Sequence, residues 1–190
     1  MATRDDSTPT RRDVLKGAGG LIAAGAFPAG SAIALGQAPA VRRAPNVTGR
    51  LARYMFEARD RDLPAEVARQ AKHRILDTLA AMVSGAHMTP GEMAIRYVRA
   101  QGGTPEASVL TTDIRTTAVN AAFANAMFAH ADETDDFEPV TKAHPGCSVV
   151  PAALAVAERD GRSGAELLKA VTLGYDLCCR FLLALGPDHV

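Results

Sequence analysis

A dense group of ionisable side chains lies in the second half of the chain, between two apolar segments. Five carboxylates occur within seven residues, with a histidine on either side of them. The group consists of His130, Asp132, Glu133, Asp135, Asp136, Glu138 and His144. Imidazole and carboxylate groups are the usual acids and bases of enzymes near neutral pH. Because charges held between buried helices are costly unless they are paired, this group is a candidate active site.

The same residues also have a plainer interpretation. Closely spaced carboxylates often form a solvated acidic loop. A histidine such as His130 is favoured at the carboxyl end of a helix by the helix dipole, and there it can pack against the core. His144 can be capped by local backbone at a helix entrance, and a loop lysine such as Lys142 is usually exposed. The residues alone leave both interpretations open.

Nitrogen and oxygen donors of this kind also bind divalent metal ions. The donors would be His130, Glu133, Asp136 and His144. Their spacing matches no metal-binding signature, and the three cysteines lack the spacings of zinc or iron–sulfur sites. We therefore expect neither a metal nor another cofactor.

Helical periodicity dominates the chain from residue 47 onward. It predicts helices over 47–58, from Pro64 to Gly85, around Met93–Val98, over 116–131, over 151–158, and from Ser163 onward. Ser163 and Glu166 form a capping box at the start of the last helix. A brief extended segment is predicted over 107–110. The prediction is an all-α bundle of six or seven helices.

Apolar stripes predict how three of these helices pack. In the helix from Pro64, Val67, Ala71, Ile75, Leu79 and Val83 recur every four residues, and Leu76 and Met82 widen the stripe. One face of the helix over 116–131 carries Val119, Ala122, Phe123, Ala126, Met127 and His130. The last helix is apolar nearly all round, which predicts a central place or an interface. Gly174 within it is expected to permit close packing of another helix.

The charge balance excludes some classes of partner. Residues 41–190 carry 17 Lys and Arg against 18 Asp and Glu. Nucleic-acid-binding domains usually carry a basic field, and this composition offers none. It also offers no polybasic face for an anionic membrane.

The first forty residues are typical of an export signal. Thr10–Lys16 contains the pair Arg11-Arg12, and a long uncharged run rich in Ala and Gly follows it. This pattern predicts a twin-arginine signal over 1–40, a linker over 41–46, and a periplasmic protein without stable membrane insertion. The glycines and Pro28 make the run a poor spanning helix, although an uncleaved anchor and a disordered tail remain alternatives.

The acidic segment and its flanks resemble the MmgE/PrpD family of 2-methylcitrate dehydratase-like lyases, which includes cis-aconitate decarboxylases. NAMFAHADETDDF, followed by HPGCSVVPAALAVAE, is similar to the family pattern N-G-x-x-A-H-x-x-D-x-D-D, then H-P-S and an Ala/Leu-rich helix. The similarity extends upstream to LPAEVARQAKHRILDTLAAMVSGA and downstream to GRSGAELLKAVTLGYDLCCR. It implies that residues 47–190 form the family's N-terminal helical domain. Because family members are usually much longer, we expect the chain to be the N-terminal part of one.

The resemblance also implies roles for individual residues. His144 matches the active-site histidine of H-P-S, while Gly146 replaces the serine. Glu133 stands where the family has its active-site aspartate, and Asp135 and Asp136 match the following pair. Catalysis is therefore expected of His144, Glu133, Asp135 and Asp136, and substrate binding of His130 and Lys142.

The implied activity is cofactor-free dehydration or decarboxylation of a small di- or tricarboxylic acid. Further family residues lie beyond the residues present here, so this chain is expected to be inactive alone. It would act as a homodimer or paired with a C-terminal half. The alternative is a non-catalytic helical module for oligomerisation or interaction, or a truncated product.

Overall fold

The computed structural model describes residues 46–186. Six helices and one two-stranded sheet form within this range. The helices are α1 (Val47–Ala58), α2 (Ala65–Gly85), α3 (Thr89–Gln101), α4 (Ala118–Ala129), α5 (Gly146–Asp160) and α6 (Gly164–Leu185). Strands β1 (Ala107–Ser108) and β2 (Arg115–Thr116) pair antiparallel between α3 and α4. The all-α prediction is confirmed, whereas the predicted signal over 1–40 and nearly all of the linker lie outside the described residues.

Helix α4 lies at the centre and packs against α2, α3 and α5. Its buried positions are mostly alanines, namely Ala118, Ala121, Ala124 and Ala129, together with Asn125 and Phe128. Small side chains let neighbouring helices approach closely, and Phe128 fills the remaining space with Met82, Val98 and Val150. The buried Asn125 side chain bonds to backbone groups of Ser108 and Leu110, which fixes the small sheet against α4.

The predicted stripe of α2 is right only in its middle. Ala71 and Met82 are buried and Ile75 and Leu79 pack against the core, but both ends of the stripe and Leu76 are exposed. An α-helix has 3.6 residues per turn, so a strict four-residue repeat drifts by about 40° at each step. Two steps from Ile75 in either direction, at Val67 and Val83, the repeat has turned away from the core.

The apolar face predicted on α4 points outward. Val119 is 77% exposed, and Phe123 and Met127 are also exposed, because the opposite face, with its alanines and Phe128, meets the core. Phe123 packs edge-on against Tyr97 of α3, with ring centroids 5.4 Å apart. Phe123 and Met127 therefore line an open groove.

Helix α5 begins five residues before the predicted start at Pro151. Periodicity alone missed the first turn because its stabilising contact comes from elsewhere in the chain. The Gly146 N–H donates to Asp136 Oδ1 at 2.9 Å. Pro151 is buried inside the helix instead of beginning it.

Helix α6 is not enclosed within this domain, although its predicted capping box is present. Only Val171 is fully buried, and Phe181, Leu183 and Leu185 are exposed. A Cβ on Gly174 would overlap Val149 of α5, so this glycine does permit a close helix approach, as predicted. Within residues 46–186, no helix is both long and apolar enough to cross a bilayer.

Candidate active site

The end of α4, the acidic loop over 131–145 and the start of α5 bring both histidines together. Thr117 caps the start of α4 by accepting from the Asn120 N–H, and His130 is the C-cap residue at its end. His144 comes two residues before α5. The two imidazole centroids lie 5.2 Å apart, edge to face.

Asp135 lies between the two histidines. Its side chain is 0% exposed, and its Oδ1 is 3.0 Å from His130 Nδ1 and 3.4 Å from His144 Nδ1. The first contact is a hydrogen bond, whereas the second has the distance of an ion pair without hydrogen-bond geometry. His144 Nδ1 therefore has no hydrogen-bond partner, and Asp135 Oδ2 has none either. We call His130, Asp135 and His144 the His–Asp–His cluster.

Both imidazoles are accessible from solvent although the carboxylate is not. The His130 side chain is 47% exposed and that of His144 is 29% exposed. Phe137 covers part of His144, with ring centroids 5.4 Å apart. Each ring can therefore contact Asp135 on one side and a bound solute on the other. This arrangement suits proton transfer by an oriented histidine.

Asp136 contacts a different part of the fold from Asp135. It is buried and accepts the Gly146 N–H at the start of α5, close to Thr78 and Tyr175. Burial and the nearby Asp136 carboxylate raise the pKa of Tyr175 far above its usual value. Asp136 thus anchors the start of α5, and its predicted catalytic role stays a prediction.

The remaining residues predicted to act on substrate lie on the loop surface. Glu133 and Lys142 are exposed, and neither side chain pairs with another described residue. Both have left-handed backbone, with φ of 55° at each. Non-glycine residues seldom adopt this conformation, which tends to occur at functional sites.

Two other carboxylates build the loop itself. Asp132 accepts hydrogen bonds from the Thr134 and Ser84 hydroxyls, which lower its pKa. Glu138 accepts from the Thr141 hydroxyl and from backbone amides, which lower its pKa as well. These carboxylates are therefore ionised and already partnered, so the loop is not a simple solvated acidic cluster.

A mostly apolar groove of about 370 Å³ leads to His130. It is lined by Pro90, Phe123, Ala126, Met127, His130, Ala131, Cys147 and Ser148. Burial raises the pKa of the Cys147 thiol to about 11, so this cysteine is not a thiolate nucleophile near neutral pH. The groove has room for a small organic acid beside the His–Asp–His cluster.

Sequence reasoning missed Thr78, Ser84, Cys147 and Tyr175. Thr78, Ser84 and Tyr175 lie on helices that are far from the loop in sequence, and Cys147 lies in an apolar run. No local motif marks any of them. The metal donor set considered from the sequence differs from the set that the structure brings together. Among residues 46–186, the set whose ligand atoms lie within 4.8 Å of one another is His130, Asp135 and His144.

Comparison with known proteins agrees with the resemblance. The family model of the MmgE/PrpD N-terminal domain matches residues 49–190. A cis-aconitate decarboxylase-like protein of Aspergillus oryzae is 30% identical over 138 residues, which make up 69% of this chain and 29% of that protein. The cis-aconitate decarboxylase of Aspergillus terreus is 26% identical over 68% of this chain and 28% of its own length.

The human cis-aconitate decarboxylase is 32% identical over 63% of this chain and 26% of its own length. The chain therefore spans less than a third of the length of these curated relatives. The family match covers most of the chain and all of the described helices except the first two residues of α1. On this match the chain belongs to the MmgE/PrpD family, of which it carries the N-terminal domain.

Proposed function

We propose that the chain supplies acid–base groups to a cofactor-free lyase that dehydrates or decarboxylates a small di- or tricarboxylic acid. The observation that carries the proposal is the His–Asp–His cluster at the end of the groove. Buried Asp135 contacts both imidazoles, and both imidazoles remain accessible to solvent. The names of the relatives, cis-aconitate decarboxylases, support this class of reaction.

The cluster has the groups that either reaction needs. In dehydration, a base removes the proton alpha to a carboxylate and an acid protonates the departing hydroxyl, which leaves as water. In decarboxylation, a carbon–carbon bond breaks, CO₂ leaves, and an acid protonates the resulting carbanion. We assign proton transfer to His144, with His130 as the second imidazole. Asp135 orients both rings.

Glu133 and Lys142 complete the assignment on the loop surface. The exposed Glu133 carboxylate corresponds to the family's active-site aspartate and would orient the substrate or accept a proton. Lys142 would pair with a substrate carboxylate. Backbone held in a left-handed conformation at both residues supports a functional role for this loop.

A polycarboxylate substrate needs more positive charge than the described residues provide at the groove. Besides the two histidines, Lys142 is the only cationic side chain on the acidic loop. Stabilising two or three carboxylates and the charge that develops during reaction calls for further cations. We propose that a C-terminal half or a second copy supplies them, so that the chain alone is inactive.

The test is an assay of the chain alone and together with a C-terminal domain of the family. Cis-aconitate, citrate and 2-methylcitrate would be supplied in turn, with ultraviolet absorbance following the double bond and CO₂ release measured in parallel. We expect turnover only in the combined sample. His144→Ala should abolish it, and His73→Ala, at an exposed position on α2, should leave it unchanged.

The result against the proposal would be turnover that survives His144→Ala, or no turnover with any acid in any combination. In the second case a non-catalytic helical module becomes the better description. The exposed Phe181 and Leu185 of α6, which lie one turn apart on the same face, favour that second candidate, since exposed apolar surface can mark an interaction site. Light scattering would then find a stable oligomer, and charged substitutions at Phe181 and Leu185 would dissociate it.

We also propose that the protein is exported to the periplasm through the twin-arginine signal. The pair Arg11-Arg12 and the uncharged run after it support this destination. Fractionation of cells that express the full chain should recover it from the periplasm. Replacing both arginines with lysine should retain it in the cytoplasm, and equal export of both forms would contradict the proposal.

A further inference from the structure

We propose that His130, Asp135 and His144 also bind one divalent transition-metal ion of the Zn²⁺ class, and that this ion competes with the lyase reaction for the two imidazoles. Metal binding follows from the geometry of the cluster alone. The inhibitory consequence rests on the proposed function. The two are therefore measured separately.

The donor set fits such an ion. Two imidazole nitrogens and one carboxylate oxygen are ligands that Zn²⁺ and its neighbours in the periodic table accept. Tetrahedral Zn²⁺ with bonds of about 2.0–2.2 Å places its ligand atoms about 3.3 Å apart. Asp135 Oδ1 is 3.0 Å from His130 Nδ1 and 3.4 Å from His144 Nδ1, and all three atoms lie within 4.8 Å of one another.

A second observation is independent of these distances. Asp135 is 95% buried by residue surface, its Oδ2 has no hydrogen-bond partner, and neither has His144 Nδ1. Within residues 46–186, Asp135 forms ion pairs with no Lys or Arg, only with the two histidines. A buried carboxylate needs a compensating positive charge. A metal ion between the three side chains would supply it.

The imidazole edges that face away from Asp135 are open to solvent. His130 lines the groove, and both imidazoles are partly exposed, so the side of the cluster away from Asp135 is reachable from solvent. Three protein ligands suffice for a Zn²⁺ ion whose fourth position is taken by water or another small ligand. A bound ion would occupy the Nδ1 atoms of both imidazoles, so neither ring could serve the lyase reaction.

The experiment uses the full chain without a histidine tag, first dialysed against a chelator. Titration calorimetry with Zn²⁺ measures stoichiometry and affinity, and the visible spectrum of Co²⁺ reports its coordination. We expect one ion per chain. Asp135→Asn and His144→Ala should each weaken binding by at least about tenfold, the scale on which even supporting residues affect metal affinity. His73→Ala is the matched control and should bind as the unaltered chain does.

Circular dichroism would verify that every variant is folded. Absence of a one-to-one binding event, or binding that Asp135→Asn and His144→Ala leave unchanged, would overturn the metal site. In the combined lyase assay, Zn²⁺ should inhibit with the same midpoint as binding, and a chelator should restore turnover. Turnover unaffected by saturating Zn²⁺ would overturn the competition while leaving the lyase itself standing.

Discussion

Gly146 begins α5 at a point with no room for a side chain. A Cβ built there would overlap Asp136 and meet Thr78 Oγ1 at 2.5 Å and the Tyr175 hydroxyl at 2.8 Å. Contacts below 3.0 Å essentially never occur for real Cβ atoms, so something must move. Because Asp136 follows Asp135 directly, Gly146→Ala should displace the loop that holds the His–Asp–His cluster.

The expected loss of stability follows from two opposing terms. Overpacking a filled site costs about 1–3 kcal/mol, while replacing Gly by Ala restricts the unfolded chain and returns about 0.4–1 kcal/mol. The two ranges leave a net loss of about 0–2.6 kcal/mol, with a middle value of about 1.3 kcal/mol. Urea slopes are about 1–3 kcal/mol per molar for small proteins, so at a slope of about 2 the urea midpoint of Gly146→Ala should fall by about 0.6 M.

Gly164 provides the matched control because it is also the first residue of a helix. No atom lies within 4 Å of a Cβ built at Gly164, so Gly164→Ala should raise stability by about 0.4–1 kcal/mol. Urea unfolding followed by circular dichroism measures both variants. Hydrogen exchange should show faster opening of residues 131–145 in Gly146→Ala alone. If Gly146→Ala is as stable as Gly164→Ala, the packing of Asp136, Thr78 and Tyr175 around Gly146 is looser than these distances imply.

Three further predictions concern other contacts. Tyr54→Phe removes the 2.7 Å hydrogen bond to Asp176 that holds α1 on α6. Hydrogen exchange of α1 should therefore become faster while the core stays protected. Protection of α1 equal to that in the unaltered chain would refute this role. Burial acts to raise the pKa of Asp176, but hydrogen bonds from Arg180 and Tyr54 outweigh it and the pKa is lowered. Asp176 therefore stabilises the fold above its unfolded pKa near 3.8 and loses this contribution as pH falls through its lower folded value. Asp176→Asn should consequently flatten the acid side of a plot of unfolding free energy against pH, and an unchanged slope would contradict the shift. Finally, a thiol pKa of about 11 against a usual 9.0 should slow labelling of Cys147 by a thiol reagent about 100-fold relative to the unfolded chain, as measured by mass spectrometry.

The structure shows how the carboxylates of the proposed active site are distributed. Five carboxylates near a polyanionic substrate would repel it if all of them faced the substrate. Asp132 and Glu138 are instead held by hydroxyl and amide donors within the loop and on Ser84. Asp136 anchors α5, and Asp135 is buried between two imidazoles. Among these carboxylates Glu133 alone is exposed and unpaired within the described residues.

The sequence by itself determined the helical class, most helix bounds and the family. Helix α1 has the predicted bounds, and the capping box of Ser163 and Glu166 begins α6 as expected. These features depend on residues within one or two turns of each other, where local hydrogen bonds and periodicity dominate. The motif around His130 and His144 likewise indicated the family, because its residues are close in sequence.

The tertiary structure alone decided which side of a helix is buried and which carboxylate has which task. Phe123 and Met127 of α4 line a groove because the opposite face, with its alanines and Phe128, packs against the core. Asp135 and Asp136 are adjacent and chemically identical, yet one contacts two histidines and the other the first turn of α5. Thr78 and Tyr175, which lie against Asp136 and Gly146, come from helices distant in the chain. Long-range packing sets these neighbours, and no local pattern of residues encodes them.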